Sequence, residues 1–386
     1  MKRGLIAVFV AAALGVPSLV HGDWTAEAPR KLAGDSGVEE TVWRSARPPG
    51  GVWDKVAVHR YLGPGPATAA LVYLPGTNMN GSAALTDEDH NLWVFLATRG
   101  VEVWALDYRT RAVPPDAARE ELAALRGWTM EAFVEDARAA AALARRESGR
   151  AKLFVAGFSR GVWLSYALAC REPDTVAGLV LLDGAFKNHA PKAAFDYPAA
   201  LGKLEASGAW ANDVAGRLGW DARQKLMDTV AASPGAPATD PKFETLGDQL
   251  ASLLQLAWRP GGLANPQGGM SQPRVLARLL AGYDRYYPAI QDVEGRGIGD
   301  HDDDPRTPID DRWGELALPI LNVTGTGMGG DWVLNSIYSA DKSGSPDVTL
   351  VVLERYGHLD VIVGEKARRE VYEPALEWIR ARSGKP

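Results

Sequence analysis

The stretch Lys152-Leu-Phe-Val-Ala-Gly-Phe-Ser-Arg-Gly-Val162 decides the fold. Leu153 to Ala156 is a short apolar run with strand character, and Val162 to Cys170 has the composition of a buried helix. Between them lies Gly157-Phe158-Ser159-Arg160-Gly161, a G-x-S-x-G pentapeptide. A strand that turns at once into a helix, with a serine at the turn, carries the signature of a nucleophile elbow. The serine backbone in such a turn is strained. Side chains two residues before or after it would collide with the crossing strand and helix, which accounts for both glycines.

Outward from this turn, strands and helices alternate. Ala69-Ala-Leu-Val-Tyr-Leu74 is a continuous apolar run ending in Pro75-Gly76-Thr77-Asn78, as expected of a strand buried on both faces. A helix around Leu92 to Thr98, a strand from Val101 to Leu106 and a long helix from Met130 to Glu147 follow. Beyond the elbow helix comes the strand Val176 to Leu182, closing with Asp183-Gly184. This spacing implies α/β architecture, a doubly wound and mostly parallel sheet with helices on both faces. Ahead of it, Thr41 to Arg47 and Val56 to Leu62 alternate in polarity around Pro48-Pro49-Gly50-Gly51, which reads as a hairpin of exposed edge strands.

The alternation stops between Phe186 and Trp313. There the chain is helical and rich in breakers, with helices expected over Phe243 to Ala257 and Arg274 to Tyr287. A long insert at this place reads as a cap over the cleft. Sheet pattern resumes with Pro319 to Val323, then a glycine-rich loop to Asp331 and a last strand, Val348 to Leu353, ending at Tyr356-Gly357-His358. An amphipathic helix near Glu365 to Arg382 closes the chain. The expected organisation is a signal peptide over residues 1–22, core over 23–185, a helical cap over 186–313 and core again over 314–386.

The 386 residues carry a net charge of −6, which argues against nucleic acid as the main partner. Met1-Lys-Arg followed by apolar Gly4 to Val16 has the form of a secretory signal, pointing to a secreted or periplasmic protein with no stable membrane span after cleavage. Its removal would take away Lys2 and Arg3 and no acid, leaving −6 − 2 = −8. The one cysteine, Cys170, sits among apolar residues of the elbow helix and reads as a buried structural thiol.

At this point the residues from Val56 to Arg382 resemble the α/β-hydrolase fold superfamily. The order Ser159…Asp331…His358, each after a strand, is similar to that superfamily's nucleophile, acid and base. His358-Leu-Asp-Val-Ile-Val-Gly364 is similar to the H-L-D-x-x-x-G stretch around the histidine of its acid-lipase branch. The chain departs from the common pattern where many members have His-Gly, carrying Pro75-Gly76 instead.

The resemblance implies Ser159 as nucleophile and His358 as base. Of the six histidines, only His358 follows both the serine and a candidate acid at a strand end. Chain order favours Asp331 as the acid, with Asp183 as the alternative. Asp360 stands too close to His358 to orient it and is expected to brace the loop, and Asp107 to be structural. The oxyanion hole would use the backbone N–H groups of Arg160 and Thr77, with Asn78 a second choice for the latter. The Arg160 side chain is expected in a salt bridge rather than on substrate.

Asp300-His301-Asp302-Asp303-Asp304 is read as a solvated acidic loop, since consecutive carboxylates do not converge easily on one metal ion. Trp210, Trp220, Trp258, Tyr283, Tyr286 and Tyr287 could line an apolar pocket or form the cap's own core, and the sequence leaves both open. What the resemblance implies is an exported serine hydrolase acting on a small-molecule or lipid-like ester, needing no cofactor and no metal. An amidase or peptidase using the same groups, and a non-catalytic binding protein on the same fold, stay open.

Overall fold

The computed structural model describes residues 23–34, 36–190, 195–254, 271–299, 309 and 312–384. The expected signal segment, Trp258, the breaker-rich stretch 260–269 and the acidic run 300–304 lie outside the described residues.

A ten-stranded sheet forms around β5 (Ala69–Leu74) and β7 (Leu153–Phe158), both buried along their whole length. The other strands are β1 (Thr25–Ala26), β2 (Arg30–Lys31), β3 (Glu39–Ala46), β4 (Lys55–Leu62), β6 (Val101–Asp107), β8 (Val176–Leu182), β11 (Ile320–Gly325) and β12 (Val348–Leu353). Their order is β1-β3-β4-β6-β5-β7-β8-β11-β12, with β2 added on β3. From β6 to β12 every pairing is parallel; β3, β4 and β6 pair antiparallel.

Alternation along β5 sorts the core into two layers. Ala69, Leu71 and Tyr73 face one side; there they join apolar residues of α1 (Leu92–Ala97), α10 (Asp360–Val363) and α11 (Glu373–Arg382). Ala70, Val72 and Leu74 face α2 (Met130–Ser148) and α3 (Arg160–Arg171). Helix α2 begins where Thr129 accepts the Ala132 N–H and ends at left-handed Gly149, the asymmetry expected of capped termini. Cys170 is buried in this second layer.

Between β8 and β11 the described chain adds no strand to this sheet. It forms α4 (Tyr197–Ser207), α5 (Trp220–Ala232), α6 (Leu246–Leu254), α7 (Pro273–Ala281), α8 (Ile290–Gly299) and a two-stranded pair, β9 (Ala211–Asp213) with β10 (Tyr286–Pro288). The expected helix over 274–287 is therefore too long. It stops at Gly282, and Tyr286 and Tyr287 extend to pair with Asp213 and Asn212.

The hairpin β3–β4 forms, but its reading as a pair of exposed edges is corrected. β4 lies between β3 and β6 and is largely buried, because its alternating polar residues find partners inside. His59 is the central case. Its Nδ1 lies 2.6 Å from Glu40 Oε1 and its Nε2 3.1 Å from Asp107 Oδ2. Burial would lower its pKa, but the two carboxylates outweigh that and push it up to about 9.

A histidine raised in this way stabilises the fold fully below its ordinary value near 6.5 and loses that contribution as pH rises through about 9. We predict a fall in unfolding free energy of up to about 3 kcal/mol between those values. In His59→Gln the decline should be shallower in thermal melts across the same pH series. An unchanged slope would refute the assignment.

Candidate active site

The elbow is built by close approach. Ser159 has φ +55° and ψ −119°, outside the regions an L-residue prefers. A Cβ on Gly157 would stand 2.3 Å from the Gly161 carbonyl oxygen, and one on Gly161 would stand 1.9 Å from the Leu74 oxygen. No side chain fits at either position. Helix α3 starts at Arg160, directly after the serine, so the expected start at Val162 falls two residues late.

His358 follows β12 and meets Asp183, not Asp331. Its Nδ1 lies 2.6 Å from Asp183 Oδ2, across 175 residues of chain. The other carboxylate oxygen, Oδ1, accepts from the Gly325 N–H at 2.8 Å and from Thr324 Oγ1 at 3.1 Å. Asp183 is wholly buried, and both of its carboxylate oxygens are met by hydrogen-bond partners. With Nδ1 turned to the carboxylate, Nε2 is the nitrogen left for other chemistry. The imidazole is also held by rings: Phe158 stacks on it at 4.6 Å, and the edge of Trp332 approaches at 5.4 Å.

The preference for Asp331 as the partner of His358 is corrected by this geometry. The glycine-rich loop is shorter than it reads, because α9 (Gly330–Asp341) begins at once and places Asp331 in its exposed first turn. Asp183 sits in the left-handed region with φ +45°, at the end of β8 beside β11. Asp360 accepts the Gly357 N–H at 2.8 Å and so ties down the turn that carries His358.

The loop after β5 lies against the elbow. A Cβ on Gly76 would come within 3.1 Å of Ser159 Cβ. Met79 donates its N–H to the Gly76 carbonyl, closing a turn in which Asn78 has φ +62°. The Tyr108 hydroxyl donates to the Pro75 carbonyl at 2.9 Å. Neither the Thr77 nor the Arg160 N–H has an acceptor among the described residues.

Ser159, Thr77 and Arg160 border a cavity of about 640 Å³. Its aromatic walls are Trp163, Phe186, Phe195 and Trp332, none of which stood out in the sequence as pocket residues. They sit in helices and connections where an aromatic reads equally well as core. Trp210, Tyr286 and Tyr287 belong instead to the packed core layer, Tyr287 with its hydroxyl on Gln291 Oε1 at 2.7 Å. Tyr283 lines a separate small cavity beside Trp93. The Arg160 guanidinium forms a salt bridge with Asp292 at 2.5 Å and lies 4.6 Å over Trp163.

Among solved structures, one described as a candidate lipase from Sulfolobus solfataricus matches with TM-score 0.74 at 21% identity, covering 94% of this chain and 99% of that one. A carboxyl esterase from Bacillus coagulans matches with TM-score 0.52 at 14% identity, covering 90% and 99%. The chain has the α/β-hydrolase fold. Within it, residues 79–219 match the family described as serine aminopeptidase, S33 (Hydrolase_4), a span that includes the elbow and Asp183. No curated protein matches the sequence. The described residues hold no cluster of histidine, cysteine and carboxylate side chains suited to a metal ion, and no described helix is long and apolar enough to cross a membrane.

The short Asp183–His358 contact should give a far-downfield Nδ1–H proton signal, assigned by its loss in His358→Gln. Asp183→Asn is expected to remove it and Asp331→Asn to leave it in place. The opposite pattern in the proton spectrum would restore Asp331 as the partner.

Proposed function

We propose that this protein is a serine hydrolase that cleaves carboxylic esters through Ser159, His358 and Asp183. The observation that carries the reading is the buried 2.6 Å pairing of His358 with Asp183, next to a strained serine that borders an aromatic-walled cavity. Ser159 Oγ attacks the ester carbonyl while His358 Nε2 takes its proton. Asp183 keeps the imidazole in the tautomer with hydrogen on Nδ1 and stabilises the imidazolium that forms. The Thr77 and Arg160 N–H groups, the second at the start of α3, receive the developing oxyanion. The alcohol leaves with the proton from His358. Water, activated by the same nitrogen, then releases the acid from the acyl-enzyme.

An amide or peptide bond is the second reading, favoured by the description of the matching family. An aminopeptidase needs an acidic group for the substrate's amine. Asp292 is the one carboxylate among the described residues that border the cavity, and it is engaged by Arg160 and by Asn212 at 2.6 Å. That occupancy supports the ester. The aromatic walls support an acyl or alcohol group of some apolar size. The charged start and apolar run of residues 1–22 support export to the periplasm or beyond, with Ser159 facing small ester substrates there.

Labelling with a fluorescent organophosphonate tests the nucleophile: the wild type should label and Ser159→Ala should not. Labelling that persists in the variant sinks the assignment. In parallel, matched chromogenic ester and anilide substrates should differ by at least about 100-fold in kcat/KM in favour of the ester, and Asp183→Asn should lower ester turnover on the order of 10³–10⁴-fold by favouring the wrong tautomer. Faster anilide cleavage would move the reading to the amide.

A further inference from the structure

The loop that offers Thr77 is held on two sides, and the second side does not belong to the sheet. Asp284, in the connection between α7 and β10, donates its N–H to the Asn78 carbonyl at 2.7 Å. Asn78 Nδ2 donates back to the Asp284 carbonyl at 2.9 Å. The Asp284 carboxylate takes Asn80 Nδ2 on Oδ1 at 2.9 Å and the Thr110 hydroxyl on Oδ2 at 2.8 Å, with Arg111 Nη1 at 3.4 Å from Oδ1. Asn80 Nδ2 also reaches the Gly282 carbonyl at 2.9 Å. Residues 78 to 80 are thus bonded to 282 to 284, more than 200 positions along the chain.

We propose that Asp284 is a positioning residue for the reaction: its carboxylate ties Asn80 to Thr110 and, with its main-chain bonds to Asn78, clamps the turn so that the Thr77 N–H stays aimed at the oxyanion. The inference rests on the serine-hydrolase reading above. Asn78 occupies the left-handed region, which an asparagine tolerates but does not prefer, so outside bonds are needed to hold the turn in one geometry. The sheet side supplies Tyr108 on Pro75, Asp107 on the Gly81 N–H and Tyr61 on the Gly81 carbonyl, all at the ends of the loop. Between those anchors the turn is bonded, among the described residues, to 282–285 and, through Asn80 Oδ1, to the neighbouring Ser82. Burial, with Asp107 nearby, pushes the Asp284 carboxyl up to about 7 against the pull of Arg111, Thr110 and Asn80. Keeping a carboxylate there costs stability, as positions chosen for function often do.

The test compares Asp284→Ala with Asp284→Asn, which can still accept from Asn80 and bond Thr110. At a temperature where circular dichroism shows each variant folded, Asp284→Ala should lower kcat about 10-fold or more with KM within about twofold. It should slow phosphonate labelling by the same factor, because the phosphonyl oxygen uses the same N–H groups. Asp284→Asn should recover most of both rates. Wild-type rates in the folded alanine variant, a rise in KM in place of the fall in kcat, or an asparagine variant as slow as alanine would each overturn the clamp. If Asp284→Ala does not fold, Asn78→Asp takes its place: it keeps the turn's backbone preference but removes the donor, and unchanged rates there overturn the clamp too. A wild type that does not label, or Ser159→Ala that labels equally well, brings down the serine reading and the clamp with it. Full labelling of the wild type with unaltered variant rates overturns the clamp alone.

Discussion

The approach of α3 to the end of β5 is the constraint on which the site depends. Only glycine at 161 lets the helix come so near the Leu74 and Pro75 carbonyls. That contact forces the chain to reverse within one residue, and Ser159 takes the strained conformation that results. Strain of this kind costs about 1–3 kcal/mol, and it persists because the buried strand and helix on either side leave no room to relax. The loop bearing Thr77 leaves β5 at Leu74, so one contact sets both the serine and the loop beside it.

A second reversal completes the arrangement. Asp183 ends β8 with positive φ, and a Cβ on the following Gly184 would stand 2.7 Å from the Ser159 carbonyl oxygen. The carboxylate is thereby delivered behind the elbow, where β11 supplies two donors and His358 the third. Adjacent parallel strands thus contribute Ser159 and Asp183, and the histidine arrives from beyond the last strand. Phe158, which precedes the serine, stacks on that histidine, so the elbow also fixes the plane of the ring.

Local pattern was enough to read the strands of the sheet from β5 to β12, because each is a short apolar run closed by turn residues. The turn at Ser159, the place of His358 after the last strand and the bracing contact of Asp360 were legible for the same reason: each depends on a turn only a few residues long. The acid was not. Asp183 and Asp331 both follow strands, and nothing local says which strand end lies behind the elbow; strand order decides it, through the pairing of β8 with both β7 and β11. The same blindness to distant partners made β4 look like an edge, since its polar His59 pattern suits solvent as well as a buried pair of carboxylates. It also extended the helix from 274 through Tyr287, where pairing with 211–213 overrides helical spacing. The cavity's aromatics escaped notice because burial in a core and burial in a pocket wall leave the same mark on sequence.

The distribution of bonds along residues 75–81 gives the segment between β8 and β11 more than a covering role. Its α8 borders the cavity through Asp292 and Gly295, so it shapes what can enter. Its 282–285 connection bonds the turn beside the serine, so in the proposed reaction it also reaches the group that would meet the developing charge. Contacts of the first kind act on ground state and transition state alike, whereas contacts of the second kind matter only once the carbonyl becomes an oxyanion. Substitutions in this one segment should therefore fall into two kinetic classes according to which of its two faces they disturb.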